Sequence, residues 1–547
     1  MAQLILGPLL RHIGATDATV WVETDTPCEV DILGRRDRTF HVEGHHYAIV
    51  SVEGLEPGSS HEYEVLLDGE RVWPIDASGQ PPSTIRTIEP GAPLWLLFGS
   101  CRVAHPDHEP YTRSPDVDPN GHGVDSLRAI ALRILAQPHE RLPDAMIMVG
   151  DQVYADEVPP QTLEYIRSRR DTAVAPGTEI ADFEEYTRLY QDAWIEPVAR
   201  WFMSTVSTAM LFDDHDVHDD WNIARSWCER MRKLPWWDAR IVGAFMSYWI
   251  YQHLGNLSPQ QLAEDRLLAQ VKAAEDAGPL LRDFARRSDR EAHGTRWSFC
   301  RDFGRVRLMG IDCRAGRVLE RDRRLMVDDD EWAWIVEETR GDFDHLLLAM
   351  SDPFLLAPAI HELQAWNEAT CNGAWGRWFE PLSERIRESF DLDHWASFRE
   401  SFERMSQLLV AIATGEHGPP PASVVGLSGD VHNAYLSRVA FARGSGAVSK
   451  VWQAVCSPVR NPLTPNERRL QKFATTRTAW LITRLVARAA SVGRPSIRWR
   501  TEAGPSFDNQ IASIHVDGRS ALLRVECVPL DGGPAAGLET AFEHRLA

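Results

Sequence analysis

From Leu4 to Thr87 apolar and polar positions alternate in short runs, ATVWVET, EVDILG, TFHVEG, YAIVSVEGL and HEYEVLLDGERVWP, separated by turn residues. A period of two marks strands with one buried face, and Asp68-Gly69 supplies a hairpin turn. These runs predict an all-β sandwich over residues 1–90. After Pro93 the pattern changes to continuously apolar runs, LWLLFGSC, AMIMVGD, TAMLFDD, VRLMGID, HLLLAMSD and SVVGLSGD, each followed by a polar segment. Strands apolar throughout are buried on both faces, which predicts an α/β or layered α/β/β/α fold over residues 91–547. A Trp-, Arg- and Leu-rich stretch at about 225–287 predicts a helical insertion over the sheet, its aromatic residues serving as core. From Asp393 to Thr414 the apolar Phe398, Phe402, Met405, Leu408 and Leu409 fall on one helical face. The run IASIHVDGRSALLRVECV predicts a hairpin turning at Asp517-Gly518.

Within the first module, Leu55 to Tyr63 (LEPGSSHEY) resembles the part of immunoglobulin-like and fibronectin type III domains where a tyrosine opens a strand and hydrogen-bonds back to the preceding corner. The formal charge of −21 argues against a nucleic-acid-binding surface, because phosphate backbones are held by Lys and Arg patches. Eight scattered cysteines without a CxxC pair suit a reducing cytoplasm. The first residues lack a basic stretch and a cleavage site, so they read as mature protein, and no apolar run approaches the roughly 18 residues of a membrane helix. A soluble, cytoplasmic chain is expected.

The chemistry lies where the apolar runs end. Five of the six close on Asp and the sixth on Ser-Cys, and in α/β sheets ligands bind at the carboxyl ends of strands. Capping of the next helix explains any one of these aspartates. It does not explain the histidine following two of them, nor Tyr154 three residues after Asp151. Asp151 sits just past a buried strand, where a carboxylate is costly without a cation. Asp213 to Asn222 (DDHDVHDDWN) crowds further oxygen and nitrogen ligands after another strand, Asp214 and His215 among them. In Gly429-Asp-Val-His432, an extended backbone would set Asp430 and His432 on one side. A thiolate from Cys101 and a phenolate from Tyr154 favour trivalent iron, and the oxygen-rich remainder favours calcium.

Phe98-Gly-Ser-Cys101, Gly150-Asp-Gln-Val-Tyr-Ala-Asp156, Asp213-Asp-His-Asp216, Asp312-Cys-Arg314, Asp393-His-Trp395 and Ser428-Gly-Asp-Val-His432 together resemble the PhoD-like alkaline phosphatase family of the calcineurin-like metallophosphoesterases. The resemblance implies a four-layer α/β/β/α core behind an N-terminal β-sandwich, and Fe3+ and Ca2+ at one site, with Mn2+ or Zn2+ as alternatives. It implies that Cys101, Asp151 and Tyr154 hold the iron, that Asp151 bridges to calcium, and that Asp214, Asp430 and His432 complete the metal shell. His215 takes the place of the histidine contacting the phosphate or leaving group, and the implied reaction is in-line attack on phosphorus by a metal-activated hydroxide. Arg102 is a candidate phosphate clamp and Arg314 a weaker one. The implied substrate is a small-molecule or lipid phosphoric ester, monoester or diester. The family's best-known members begin with a twin-arginine signal that this chain lacks. Two rivals stand beside this reading. A Ser or Cys nucleophile hydrolase would need an elbow that Gly426-Leu-Ser428-Gly-Asp430 does not complete. A non-catalytic metal-stabilised binding protein would show no turnover.

Overall fold

The computed structural model describes residues 1–75, 79–137, 141–320, 323–530 and 537–547. All six apolar runs are strands, and they fall into two sheets. In one, Leu94–Gly99, Ala145–Val149 and Ser207–Leu211 lie parallel and neighbour the antiparallel C-terminal strands Asn509–Asp517, Ser520–Val528 and Glu539–Arg545. In the other, Val306–Ile311, His345–Met350, Ser423–Ser428 and Lys450–Val455 are parallel, flanked by Phe299–Phe303 at one edge and by Ala434–Ala440 and Arg498–Ser506 at the other. The hairpin at Gly518 is present as expected, pairing Asp517 with Ser520.

Side-chain alternation sorts each strand between two environments. Leu96, Phe98, Ile147 and Leu211 of the first sheet share one apolar cluster with Leu308, Leu347, Val425 and Leu427 of the second. Their neighbours Leu97, Met146, Met148 and Met210 turn the other way, into helices that include Phe183–Trp194 and Trp237–Ser247. On the second sheet Met309, Leu346, Leu348 and Val424 do the same against helix Arg399–Thr414. The chain is thus mixed α/β, with all-β sheets at its N-terminal end.

Those N-terminal sheets are two four-stranded layers plus a two-stranded ribbon. Asp68 and Gly69 both have positive φ in the turn joining Val65–Leu67 to Glu70–Trp73, which suits a tight hairpin. Tyr63 differs from expectation. Its hydroxyl donates to the carbonyl of Ser204 at 2.7 Å, in helix Pro197–Thr205, not to its own corner. Arg11 is fully buried and donates to the carbonyls of Thr208, Tyr251 and Gln252, and the Tyr47 and Tyr251 hydroxyls meet at 3.1 Å.

The stretch beyond Arg225 is helical, from Arg225–Met231 to Gly278–Arg290, with a π-helical turn at Tyr248–His253. Trp227, Trp237 and Trp249 are buried, in keeping with a core role. Between Asp393 and Thr414 the regular helix starts only at Arg399, after a 3-10 turn at Trp395–Ser397. Asp393 and His394 precede it because both are engaged at the centre described below. No helix among the described residues is long and apolar enough to cross a membrane.

Candidate metal centre

The carboxyl ends of the two sets of parallel strands meet at one place. Gly429 approaches Ser100 so closely that a Cβ there would collide with the serine hydroxyl, and the amide of Asp430 donates to that hydroxyl at 3.1 Å. Gly150, with φ +116°, is equally constrained, since a Cβ would lie 2.8 Å from Asp213 Oδ2. The next residues leave the strands in strained conformations. Cys101, Asp151, Asp430 and His432 have φ between +49° and +65°, and Asp220 at +66° and Asp391 at +45° nearby are likewise positive. Left-handed backbone costs a non-glycine residue of order 1–3 kcal/mol and concentrates at functional sites. Asp216 holds two of these loops together. Its carboxylate accepts from the amides of Gln152, Val153 and Asp213 and from Gln252 Nε2, and burial pushes its pKa up to about 7.

Two ligand groups result. In the first, Asp151, Asp213 and Asp214 bring one carboxylate oxygen each within 4.8 Å of one another. Tyr154 donates to Asp151 Oδ2 at 3.3 Å, and Cys101, Val103 and Tyr154 pack as a small buried cluster. Burial, followed by the neighbouring carboxylates, pushes the Cys101 thiol well above its ordinary value, and burial does the same to the Tyr154 phenol. Asp151 is also raised by burial, with nearby His215 opposing the shift. Asp151 Oδ1 and Asp213 Oδ2 are buried and accept no hydrogen bond among the described residues. Buried carboxylate oxygens of this kind fit a cation, and thiol and phenol groups that hold their protons when dry are ones that a metal ionises.

In the second group, Asp352, His394 and Asp430 converge. His394 Nε2 lies 2.8 Å from Asp430 Oδ2, and although burial lowers an imidazole, the Asp430 carboxylate raises this one to about 9. Arg314 stands between the groups, 1 % exposed. Its Nε donates to Asp213 Oδ1 at 2.5 Å, its Nη1 to Asp393, and its Nη2 lies 3.4–3.8 Å from Asp352, Asp214 and Asp430. Arg317 adds bonds to Asp352 and Asp393.

At the mouth, His215 stacks on the Tyr154 ring at 4.5 Å between centroids and directs Nδ1 at Asp156, 3.0 Å away. Burial lowers its pKa, but Asp156 outweighs this and the imidazole is raised well above its usual value. A further carboxylate group, Asp219, Asp220 and Asp391, borders Asp214, whose Oδ2 accepts the amide of Asp220 at 3.2 Å. Burial, then pairing with Asp391, pushes Asp220 up to about 10.

Two placements differ from expectation. Arg102, expected to face a phosphate, is engaged elsewhere: its Nε donates to Asp125 at 2.8 Å and its Nη1 to the Ala193 carbonyl, beneath the N-terminus of helix Ser126–Ala136. The left-handed turn at Cys101 points the next side chain away from the centre. Segment 429–432 is a tight turn in which the Val431 amide donates to Gly429, so Asp430 and His432 do not share a strand face. Asp430 meets His394 directly, while His432, with its pKa lowered to about 4 by burial and Asp430 opposing the shift, stays beside that carboxylate. Asp213, Asp352 and His394 are participants that reading the residues singly did not assign. All three stood in motifs or at run ends, and that position was their signal.

Residues 129–267 match the PhoD-like phosphatase family, and residues 1–85 match a domain of unknown function (DUF7800). No curated protein matches the chain. Among solved structures, one of PhoD superposes with a TM-score of 0.57 at 12% identity, covering 99% of this chain and 90% of that one. A purple acid phosphatase from yellow lupin (Lupinus luteus) seeds gives 0.45 at 11% identity, covering 98% of this chain and 73% of that one. Residues 129–267, which contain the Gly150–Asp156 and Asp213–Asp216 motifs, thus match the PhoD-like phosphatase family within a fold shared with PhoD, as the resemblance read from the sequence led one to expect.

Proposed function

We propose that the chain is a metal-dependent hydrolase of phosphoric esters, acting on monoesters or diesters of small molecules or lipids. The observation that carries this reading is the pair of buried, unpartnered oxygens on Asp151 and Asp213, beside Cys101, Tyr154 and Asp214. Cys101, Asp151 and Tyr154 would hold ferric iron, and Asp214, joined by Asp219, Asp220 and Asp391, would hold calcium. Bound there, the cations supply Lewis acidity, lowering the pKa of water and neutralising phosphoryl oxygens. His215, oriented through Nδ1 by Asp156, presents Nε2 to the leaving-group oxygen and moves a proton there. Asp430, neutralised by His394 and Arg314, fixes the far wall.

We read the two facing sheets with their outer helices as a four-layer α/β/β/α core, and residues 1–90 as an immunoglobulin/fibronectin-like sandwich. Unpaired cysteines throughout support a reducing, cytoplasmic setting. A Ser or Cys nucleophile is disfavoured. The Ser428 hydroxyl is engaged with the Asp352 carbonyl and Gln453, and the Cys101 thiol is pushed up where a nucleophile needs the reverse.

The test is metal analysis and visible spectroscopy of the purified, oxidised protein, together with hydrolysis of an aryl phosphate monoester and diester. A charge-transfer band that Tyr154→Phe or Cys101→Ser shifts, with turnover of either ester, is the expected result. Metal-replete protein that turns over neither ester would leave the binding-protein reading in its place.

A further inference from the structure

Residues 465–500 hold nine basic residues and one acidic residue, Glu467, in a chain whose formal charge is −21. They form two short helices, Pro465–Ala474 and Arg477–Ala489, followed by the edge strand Arg498–Ser506. The helices bury little. In the first no side chain is buried, and in the second only Ala479 and Ala487 are. Instead, large apolar side chains face outward: Leu470 is 66% exposed, Phe473 51%, Leu481 53%, Ile482 53% and Leu485 68%. On the second helix this apolar stripe is closed at its two ends by the exposed Arg477 and Arg488.

The neighbouring segment extends the patch. The Trp375 indole donates to the Ala489 carbonyl at 3.2 Å, and Trp378, three residues on, is 99% exposed. Beneath the hairpin opens a cavity of about 410 Å³, whose lining includes Arg477, Arg494, Arg498, Trp480 and Trp499. Arg468 and Arg484 are paired with Asp116 and Glu362, but among the described residues Arg469, Arg477, Arg488, Arg494 and Arg498 have no carboxylate partner.

We propose that the helical hairpin of residues 465–489 is a docking surface for a bilayer carrying anionic lipid. Soluble monomers rarely expose a contiguous apolar patch of this kind. An apolar stripe bordered by unpaired arginines and an exposed tryptophan matches the layering of a bilayer interface, with acyl boundary at the centre and phosphate around it. Charge complementarity selects the lipid. A strongly acidic protein is repelled by an anionic surface everywhere except where its cations are concentrated, and here they are. The cavity beneath suits a phosphate-bearing headgroup, because guanidinium groups and indoles line it together. The hairpin is also tied to the metal centre. Arg460, four residues before the Thr464 cap of its first helix, donates its amide to the Cys101 carbonyl at 3.1 Å and accepts from the Val103 amide at 3.0 Å. Docking through this face would set the centre close to the bilayer.

The full chain should co-float with vesicles of phosphatidylcholine containing about 30 mol% phosphatidylglycerol and not with phosphatidylcholine alone, and raising salt from about 50 mM to about 500 mM should release it. The charge-reversed variant Arg477→Glu/Arg488→Glu and the apolar variant Ile482→Glu/Leu485→Glu should each lower the bound fraction at least about tenfold. Both should keep the wild-type melting temperature and hydrolysis of a soluble aryl phosphodiester. Because flotation does not depend on turnover, failure of docking and failure of the hydrolase reading are separate results. The proposal is overturned if the wild-type chain does not bind anionic vesicles at low salt, or if both variants bind as well as it does. It is equally overturned if size-exclusion shows a dimer that Leu485→Glu dissociates, since a second copy would then cover the face.

Discussion

The two ligand groups at the strand ends are both built around aspartates and differ in how their charge is settled. Asp352 and Asp430 are matched from within, by His394, Arg314 and Arg317. Among the described residues Asp151 and Asp213 share only Arg314, through Asp213 Oδ1, and each keeps a buried oxygen without a donor. Burying an uncompensated carboxylate is costly, whereas one paired with a hydrogen-bonded cation is tolerated. The difference teaches that a cluster of acids is not in itself a metal site. The side left unmatched by the protein is the side that calls for an ion, and the matched side is a rigid wall.

The largest expected effect concerns the two histidines. His215 borders the unmatched group, so His215→Ala should lower kcat by roughly two to four orders of magnitude with metal content nearly unchanged. Metal loss in that variant, measured by elemental analysis, would make it a ligand and erase the contrast with His394. Next, Arg314→Met removes the cation shared by both groups and should cost about 3–5 kcal/mol in denaturant unfolding of the metal-free protein. A cost under about 1 kcal/mol would show that the carboxylates are neutralised by protonation instead. Asparagine substitutions should then separate the groups by sign. In metal-free protein Asp151→Asn should stabilise by about 1 kcal/mol, because it removes an unmatched buried charge, while Asp430→Asn should destabilise by about 1–3 kcal/mol, because it strands His394. Equal signs would refute the comparison.

The smallest effect supplies a reference remote from both groups. His45 in an N-terminal strand bridges Glu23 and Glu184 at 3.2 and 2.8 Å, and these partners outweigh burial and raise it to about 9. A raised imidazole pKa contributes stability that is fully present below its unfolded value of about 6.5 and is lost as pH rises through about 9. Glu184, lowered to about 2 chiefly by His45, contributes above the usual carboxylate range and is lost as pH falls through about 2. His45→Gln should therefore flatten the decline of melting temperature between pH 6.5 and 9. An unchanged slope would mean the bridge is not maintained in solution.

The strand ends were legible because strands buried on both faces read as unbroken apolar runs, and a polar residue closing such a run is conspicuous. The partners across space were not. Local spacing offered His432 to Asp430, but a left-handed turn at both residues defeats the alternation of an extended chain, and His394 arrives from a segment 36 positions away. Adjacency offered Arg102 to a phosphate, and the same kind of turn at Cys101 sends it to Asp125 instead. The N-terminal sheets were recognisable as β structure from their period of two. Their dependence on the rest was hidden, because Arg11 and Tyr63 reveal their role only through carbonyls and hydroxyls nearly two hundred residues or farther along, or at Ser204.

The contact between Ser100 and Gly429 also bears on how the molecule is made. It joins positions separated by 330 residues at the Ser100 to Asp430 bond, and each ligand group lies on its own side of that seam. Contacts so distant in sequence form late, after the costly closure of the intervening chain. Arg314, which reaches across to Asp213 and Asp214, arrives with the later half. An early half emerging alone presents Asp151, Asp213 and Asp214 without their arginine, as a loose chelator with no fixed geometry. Docking of the later half both supplies that charge and sets the spacing, so an ion held there would meet its final geometry only at the last step of assembly.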